Sequence, residues 1–474
     1  MAIDRAFSLG ELQLKVSPFL QQKGSLLRSL NVQRDSIGAY QKRPGYTTYL
    51  GTPDNSQVNT LFSWTRNNGT TLYTYRYSGS VLYYSTQGTG DWTVCGAGTF
   101  TPNSKIGYTS YDDVMIVGDG TAVTRHTTTG TSFTTTSGAP LSSQFVEYQG
   151  RIYSGRGTAT AGTDTNLFYS TTGTVTDWTT DSSSIRIPGE GRILSVFKAN
   201  DKVVITKTSG LMYKWDGYSL IDNVTDFGPT SPYSIADVEG YKIYLNRRGI
   251  FGYGGNRPEI LSNPIQRQIY NDLGSGITGA NFSTAPAEIF KYDYMAAVGT
   301  ITDDLTDQTI SDCILRYNYQ QNEWGNWKFA NNPTAMHSYT DASGDEQFIW
   351  GDSGGQCYKL SGTALSDNGQ AIESVLMGML HYDQPETEKK FNYIWAFTNP
   401  GCQAKIQVAI GNTFTKGKLN WIDLKQTSDG VMEARFPSGS QGRLLFWKLY
   451  ESSKASRYNF YGFSTDVEFL PRNG

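Results

Sequence analysis

A repeat of about forty residues constrains this chain more than any other feature of its sequence. Two segments are near copies: "LYYSTQGTGDWT" at 82–93 and "LFYSTTGTVTDWT" at 167–179 differ by one residue inserted ahead of Asp-Trp. Looser copies join an apolar pair to a Tyr, Arg or Gly and then a turn: "AVTRHTTTG", "LMYKWDG", "GIFGYGG", "ILRYNYQQNEW" and "QCYKLSG". Taking Tyr84, Arg125, Tyr169, Tyr213, Gly252, Arg316 and Tyr358 as equivalent points gives intervals of 41, 44, 44, 39, 64 and 42 residues. One four-stranded propeller blade with its hairpin turns uses about this length, whereas leucine-rich and β-helix units are shorter. The period therefore predicts an all-β chain organised as a β-propeller of about six to seven blades.

Hairpins are legible within the units. "DKVVITKTSGLMYKW" predicts a strand over 203–207, a Ser-Gly turn and a second strand through Trp215. "EGYKIYLNRRGIFGYGG" places Tyr241, Ile243 and Leu245 on one face, with a turn near Arg248-Gly249. The long interval holds "SNPIQRQIYNDLG", a short helix capped by Asn263, with Pro264 at its first helical position, Ile265, Ile269 and Leu273 on one face, and Gly274 at its end. Composition agrees, since 51 Gly, 31 Tyr, 22 Phe and 10 Trp against 18% charged residues favour strands and turns over helices.

Past Thr363 the repeat lapses, and "SDNGQ" reads as a linker into longer alternating strands such as "ESVLMGMLHY", "KFNYIWAFT" and "RYNFYGFSTDVEFLP". The predicted organisation is an N-terminal arm or strand over 1–42, the propeller over 43–363, and a β-rich region over 364–474. That last region is either a sandwich or a set of strands closing the propeller. The arm is expected to stand free or to pair with the C-terminal strands.

Charge and cysteines exclude several classes. A formal net charge of -3 provides no basic field for gripping nucleic acid, which rules out a conventional DNA-binding protein. The opening residues lack a basic-then-apolar leader, and no apolar run approaches the roughly 20 residues that cross a bilayer, so no membrane insertion is expected. Cys95, Cys313, Cys357 and Cys402 are spread without a C-x-x-C pair and read as reduced thiols.

Reaction centres are hard to find. "GDSGG" at 351–355 resembles a serine-protease nucleophile loop, but Gln356 replaces the usual Pro and the chain has only His126, His337 and His381, so a hairpin turn is expected. Asp341, Asp345 and Glu346 read as a solvated turn. The sequons at Asn68, Asn223 and Asn281 are what a chain rich in Asn and Thr produces freely. Trp92 and Trp178 are expected to fill gaps between blades, not to form a sugar platform. No catalytic, cofactor-binding or metal residue is assigned, and the chain is expected not to be an enzyme.

One stretch remains. "SLNVQRDSIGAYQKRPGYTTYLG" carries Asn31, Val32, Gly38, Arg43, Pro44 and Gly45 in the order Asn-Val, polar spacer, Gly, then Arg-Pro-Gly. This pattern, with the lead-in "SPFLQQKGSLLRSLNV" and the closing "GFSTDVEFLPR", resembles the tail nozzle, or packaged-DNA stabilisation, proteins of short-tailed bacteriophages. The resemblance implies a structural virion protein, assembled in the bacterial cytoplasm and resident in the tail. It would form a ring of six copies below the portal and adaptor, contact tail fibre or needle proteins, and retain the genome before conducting it out. Passing double-stranded DNA would not be bound sequence-specifically. Asn31, Gly38, Arg43, Pro44 and Gly45 would form an assembly motif, in which Pro44 stiffens a turn, Gly45 relaxes the backbone angles and Arg43 anchors to a carboxylate or a neighbouring chain. A solvated Lys42-Arg43 pair at an ordinary strand entry is the alternative for the motif. A receptor- or glycan-binding tail propeller is the alternative for the chain.

Overall fold

Seven antiparallel four-strand units stand around one axis in the computed structural model, which describes residues 2–7, 12–14, 25–66, 70–96, 98–155, 164–269, 277, 279–303, 308–382, 384–412 and 419–470. Six are self-contained sheets: blade 1 (58–94), blade 2 (107–135), blade 3 (144–186), blade 4 (193–225), blade 5 (236–260) and blade 7 (335–360). Blade 6 (287–328) has the same four strands but forms one end of a nine-stranded sheet. All seven repeat points of the sequence fall on third strands, from Tyr84 in Val81–Thr86 to Tyr358 in Cys357–Leu360. The 64-residue interval holds an insertion between blades 5 and 6.

The ring closes by borrowing. Blade 7 supplies three strands, and Tyr46–Tyr49 pairs antiparallel with Cys357–Leu360 as its fourth. Each blade presses an apolar face on the next, as period-2 alternation demands. Trp178 sits with Ile116 of blade 2 and Ile152 of blade 3, and the Trp92 ring meets Tyr49 of blade 7 edge-on at 6.1 Å. Both tryptophans therefore fill gaps between blades. All four cysteines are free and buried.

The described residues of 364–474 form a β-sandwich with those of the N-terminal segment. One layer continues the nine-stranded sheet beyond blade 6 through Leu26–Leu30, Ser374–Leu380, Leu444–Glu451, Lys405–Gly411 and Ile422–Asp423. The other layer is eight-stranded and is built around Lys389–Thr398 and Asn459–Phe469. Val32–Arg34, Tyr40–Lys42 and Ala2–Phe7 join this second layer, so the described part of 1–42 is woven into the sandwich and no free arm exists there. A single apolar cluster runs from Leu245 and Ile250 of blade 5 through Ile265 and Phe282 of the insertion and Trp324 of blade 6 into Ile394, Trp447 and Phe463 of the sandwich. Shared core and shared sheet make the propeller and sandwich one body.

The insertion begins with a 3-10 turn over Asn263–Ile265 and runs into Gln266–Ile269. Ser262, not Asn263, stands at the cap, because Asn263 already has helical geometry and Pro264 follows it inside the first turn. Leu273 and Gly274 lie outside the described residues, as does Asn68.

Candidate functional site

The Asn-Val…Arg-Pro-Gly stretch folds into a buried clamp. Asn31 lies between Leu26–Leu30 and Val32–Arg34 at φ 55°, a left-handed value that asparagine tolerates better than most residues. This kink carries the chain from one sandwich layer to the other. Both ends of its amide are engaged: Nδ2 donates to the Glu373 carbonyl at 2.7 Å, while Oδ1 accepts from the Lys328 backbone N–H at 2.7 Å and from Arg43 Nε at 2.9 Å.

Arg43 is 0% exposed. Its Nη1 donates to Asp367 Oδ1 at 2.8 Å and to the Pro44 carbonyl at 2.9 Å; its Nη2 donates to Asp367 Oδ2 at 2.6 Å and the Lys328 carbonyl at 2.5 Å. All five N–H donors of the guanidinium are thereby occupied, and Phe329 lies under it at 4.8 Å. One side chain thus ties the N-terminal hairpin, the outer strand of blade 6 and the segment after blade 7. Lys42 is buried as well, paired with Glu451 at 2.9 Å and donating to the Ser453 carbonyl. The solvated basic pair is therefore corrected to two buried cations, each matched inside its own chain.

The two motif glycines serve different needs. Gly38 has φ +88° in an open hairpin tip, where Asp35 caps the turn by accepting from the Ile37 and Ala39 N–H groups. Gly45 needs space instead: a Cβ there would sit 2.1 Å from the Ser366 carbonyl oxygen. Relaxed backbone angles at Gly45 are thus corrected to a close backbone approach, and Pro44 contributes an accepting carbonyl to the clamp. Of the motif's apolar residues only Ile37, 76% exposed, projects outward.

The propeller axis holds a cavity of about 520 Å³ lined by every innermost strand, from Thr60 in blade 1 to Met336 in blade 7. A second cavity of about 430 Å³ adjoins it, and Asn59, Lys105, Tyr233 and Pro286 line both. At this waist Lys105 Nζ donates to the carbonyls of Asn59 at 3.2 Å and Thr334 at 2.9 Å, and lies 4.9 Å from the Tyr233 ring centre. Burial pushes its ammonium down from the ordinary 10.5 to about 8. Among the described residues no carboxylate pairs with it; Asp237 pairs with Lys242, and Glu288 stands 3.6 Å from His337. Nothing in the sequence pattern marks Lys105, because it stands just ahead of a first strand and outside the repeat.

Across blades 1, 7 and 6, Ser63 Oγ lies 2.8 Å from His337 Nε2, and His337 Nδ1 lies 3.6 Å from Glu288 Oε2. The second separation exceeds a hydrogen bond, and Ser63 stands mid-strand instead of on the strained turn that exposes a nucleophile. We read the set as a latch between blades. "GDSGG" is the hairpin turn between Glu346–Gly351 and Cys357–Leu360, folded by Asp352, whose Oδ1 accepts from the Gly354 and Gln356 N–H groups. Asp341 folds the neighbouring acidic turn by accepting from the Ser343 and Asp345 N–H groups. Among the described residues no three His, Cys, Asp or Glu side chains gather as a metal centre would need, and no helix is long and apolar enough to cross a membrane.

No protein-family model matches this chain, and no curated protein matches it in sequence. Among solved structures, the computationally designed Ika8 protein is 11% identical, with a TM-score of 0.40, 67% of this chain covered and 99% of that one. YCF48 bound to D1 peptide is 10% identical, with a TM-score of 0.42 and coverages of 68% and 99%. Neither likeness bears on activity.

Proposed function

We propose that this chain is a structural protein of a short-tailed bacteriophage tail, one copy of a six-membered ring below the portal and adaptor that holds the packaged genome and then conducts it out. The supporting observation is the Asn31 to Gly45 stretch. Within it, Asn31 and Arg43 spend their polar groups on fastening sandwich to propeller, which suits a part that must carry load without deforming. The axial cavity is the size of a small-molecule cleft, whereas a duplex has a major groove about 12 Å wide on its own. DNA would therefore run between copies, along the axis of the assembled ring. There the net charge of -3 avoids the phosphate trapping that a lysine-rich wall would cause.

Receptor or glycan recognition has one feature in its favour. On the eight-stranded layer Tyr393 and Trp395 stack at 5.7 Å, with Trp395 Nε1 donating to Glu433 at 2.8 Å, and Tyr461 stands exposed at a bulge of the adjoining strand. In the propeller, exposed Tyr218 and Tyr292 occupy different turns of their blades, so no repeated aromatic platform supports that reading. Deleting the gene from the virus that encodes it separates the two. Heads that package DNA and then lose it support the nozzle, while intact, DNA-filled, tailed particles that fail to adsorb support the receptor protein.

A further inference from the structure

We propose that the waist of the propeller axis is a binding site for a small organic carboxylate with an apolar body, held by Lys105 and Asn59. Two independent features point to an acceptor-bearing anion. Lys105 Nζ spends two donors on the carbonyls of Asn59 and Thr334 and lies over the Tyr233 ring, which leaves its third N–H free and its positive charge without a carboxylate partner where the two cavities meet. Asn59 is 1% exposed and lines both cavities, yet its Nδ2 has no hydrogen-bond partner, while its Oδ1 is already engaged by Gln57 at 2.8 Å. An unpaired buried amide donor costs free energy that a ligand oxygen would recover.

Both chambers have mixed polar and apolar linings. The smaller one sets Gln57, Asn103 and Asn332 beside Ala285, Pro286 and Pro333. The larger one presents Phe145, Phe197, Ile235 and Met336, together with Tyr108, which is 37% exposed and stacks on Phe62 at 4.5 Å. A carboxylate at Lys105 and Asn59 would place its ring or alkyl body against these apolar side chains. Inorganic phosphate would satisfy the donors but leave Phe145, Phe197, Ile235 and Met336 uncovered, so a carboxylate with an organic body fits better. Asp237 pairs with Lys242, and the Glu288 carboxylate faces His337 at 3.6 Å in the larger chamber, so Lys105 is the cation that stands at the waist itself without a carboxylate beside it among the described residues. This site stands apart from the tail reading and holds whether or not that reading does.

Benzoate is the probe, with benzyl alcohol as its neutral counterpart and phosphate as the bodiless anion. Titration of the full chain, followed by saturation transfer from protein to probe protons and by calorimetry, should show benzoate binding. Benzyl alcohol should bind about tenfold more weakly or not at all, as loss of a charged hydrogen bond implies. Lys105→Met should remove benzoate binding while its near-equal length preserves the fold. Should that variant fail to fold, the wild-type chain still decides: benzoate should protect Lys105 from an amine-acylating reagent at pH 8, and phosphate should protect it less. Equal binding of benzoate and benzyl alcohol, unchanged affinity in Lys105→Met, or acylation of Lys105 indifferent to benzoate would each overturn the proposal.

Discussion

Arg43 and Asp367, 324 residues apart in the chain, meet in a buried two-point pair with contacts of 2.8 and 2.6 Å. Asp367 is 3% exposed and also accepts from the Ala330 N–H at 3.2 Å. Removing one partner strands a charge in a low-dielectric site, at a cost of about 3–5 kcal/mol. Arg43→Met and Asp367→Asn should each lower unfolding free energy by about that much in urea titrations, and the double variant should lose less than the sum of the two. Arg43→Lys should fail to rescue, because a point-like ammonium cannot replace a planar fork with five donors. A loss below about 1 kcal/mol in either single variant would mean that the clamp is not a fastening.

Gly45→Ala and Gly38→Ala should differ in size for the reason that separates the two glycines. The first drives a methyl into the Ser366 carbonyl, and rigid backbone must move, which costs at least the roughly 1–3 kcal/mol of overpacking. The second meets open space and pays only for its dihedral angle, about 1 kcal/mol. Gly38→Asn should be milder still, since Asn tolerates left-handed φ. Thermal melts rank the three, and equal shifts would contradict the assignment.

Lys105 and Lys389 are both pushed down to about 8 by burial, yet only one should react. At pH 8 about half of each is neutral amine, roughly a hundredfold more than an ordinary lysine near 10.4. Lys389 is 0% exposed and donates to the carbonyls of Gln384, Thr387 and Arg443, so it is out of reach. Brief acylation and peptide mass spectrometry should find Lys105 ahead of other lysines and Lys389 unmodified. Linkage gives a second readout. Between pH 8 and 10.5 the unfolded chain holds more protons on Lys105 than the folded one, so its destabilising effect is full below pH 8 and fades as pH rises to 10.5. Lys105→Met should be the more stable chain at pH 7, and its advantage should shrink over that window.

Thiol reagents should find nothing in the native state. All four cysteines are buried, and burial pushes Cys95 and Cys357 up to about 12, so neither thiolate nor access is available. Ellman titration should report no rapid reaction in buffer and four thiols in guanidinium. A fast native thiol would show that one of these blade or sandwich packings opens.

The propeller was legible because blades are local: a strand, a turn and the next strand lie within about forty residues, and Tyr84 and Tyr169 repeat in the same strand context. The sandwich was only half legible, since Leu26–Leu30 pairs with Ser374–Leu380 across most of the chain and no short window records that partnership. Asp367 shows the cost of reading composition alone. It sits in "SDNGQ", which reads as a linker, yet its carboxylate is the buried counter-charge of Arg43. Gly45 was marked by its motif but for the wrong reason, because a close approach to Ser366 leaves no trace in the dihedral preference of glycine. Lys105 carried no signal at all, since its unmatched charge arises only when seven first strands converge.

The proposed tail role is decided by electron cryomicroscopy, at side-chain resolution, of bacteriophage particles assembled with this chain. A six-fold ring of seven-bladed propellers, each fused to its sandwich through blade 6 and seated below the portal and adaptor with DNA on the common axis, is the expected density. Propellers found at the tips of fibres, or no such density in the particle, would contradict the tail-nozzle assignment.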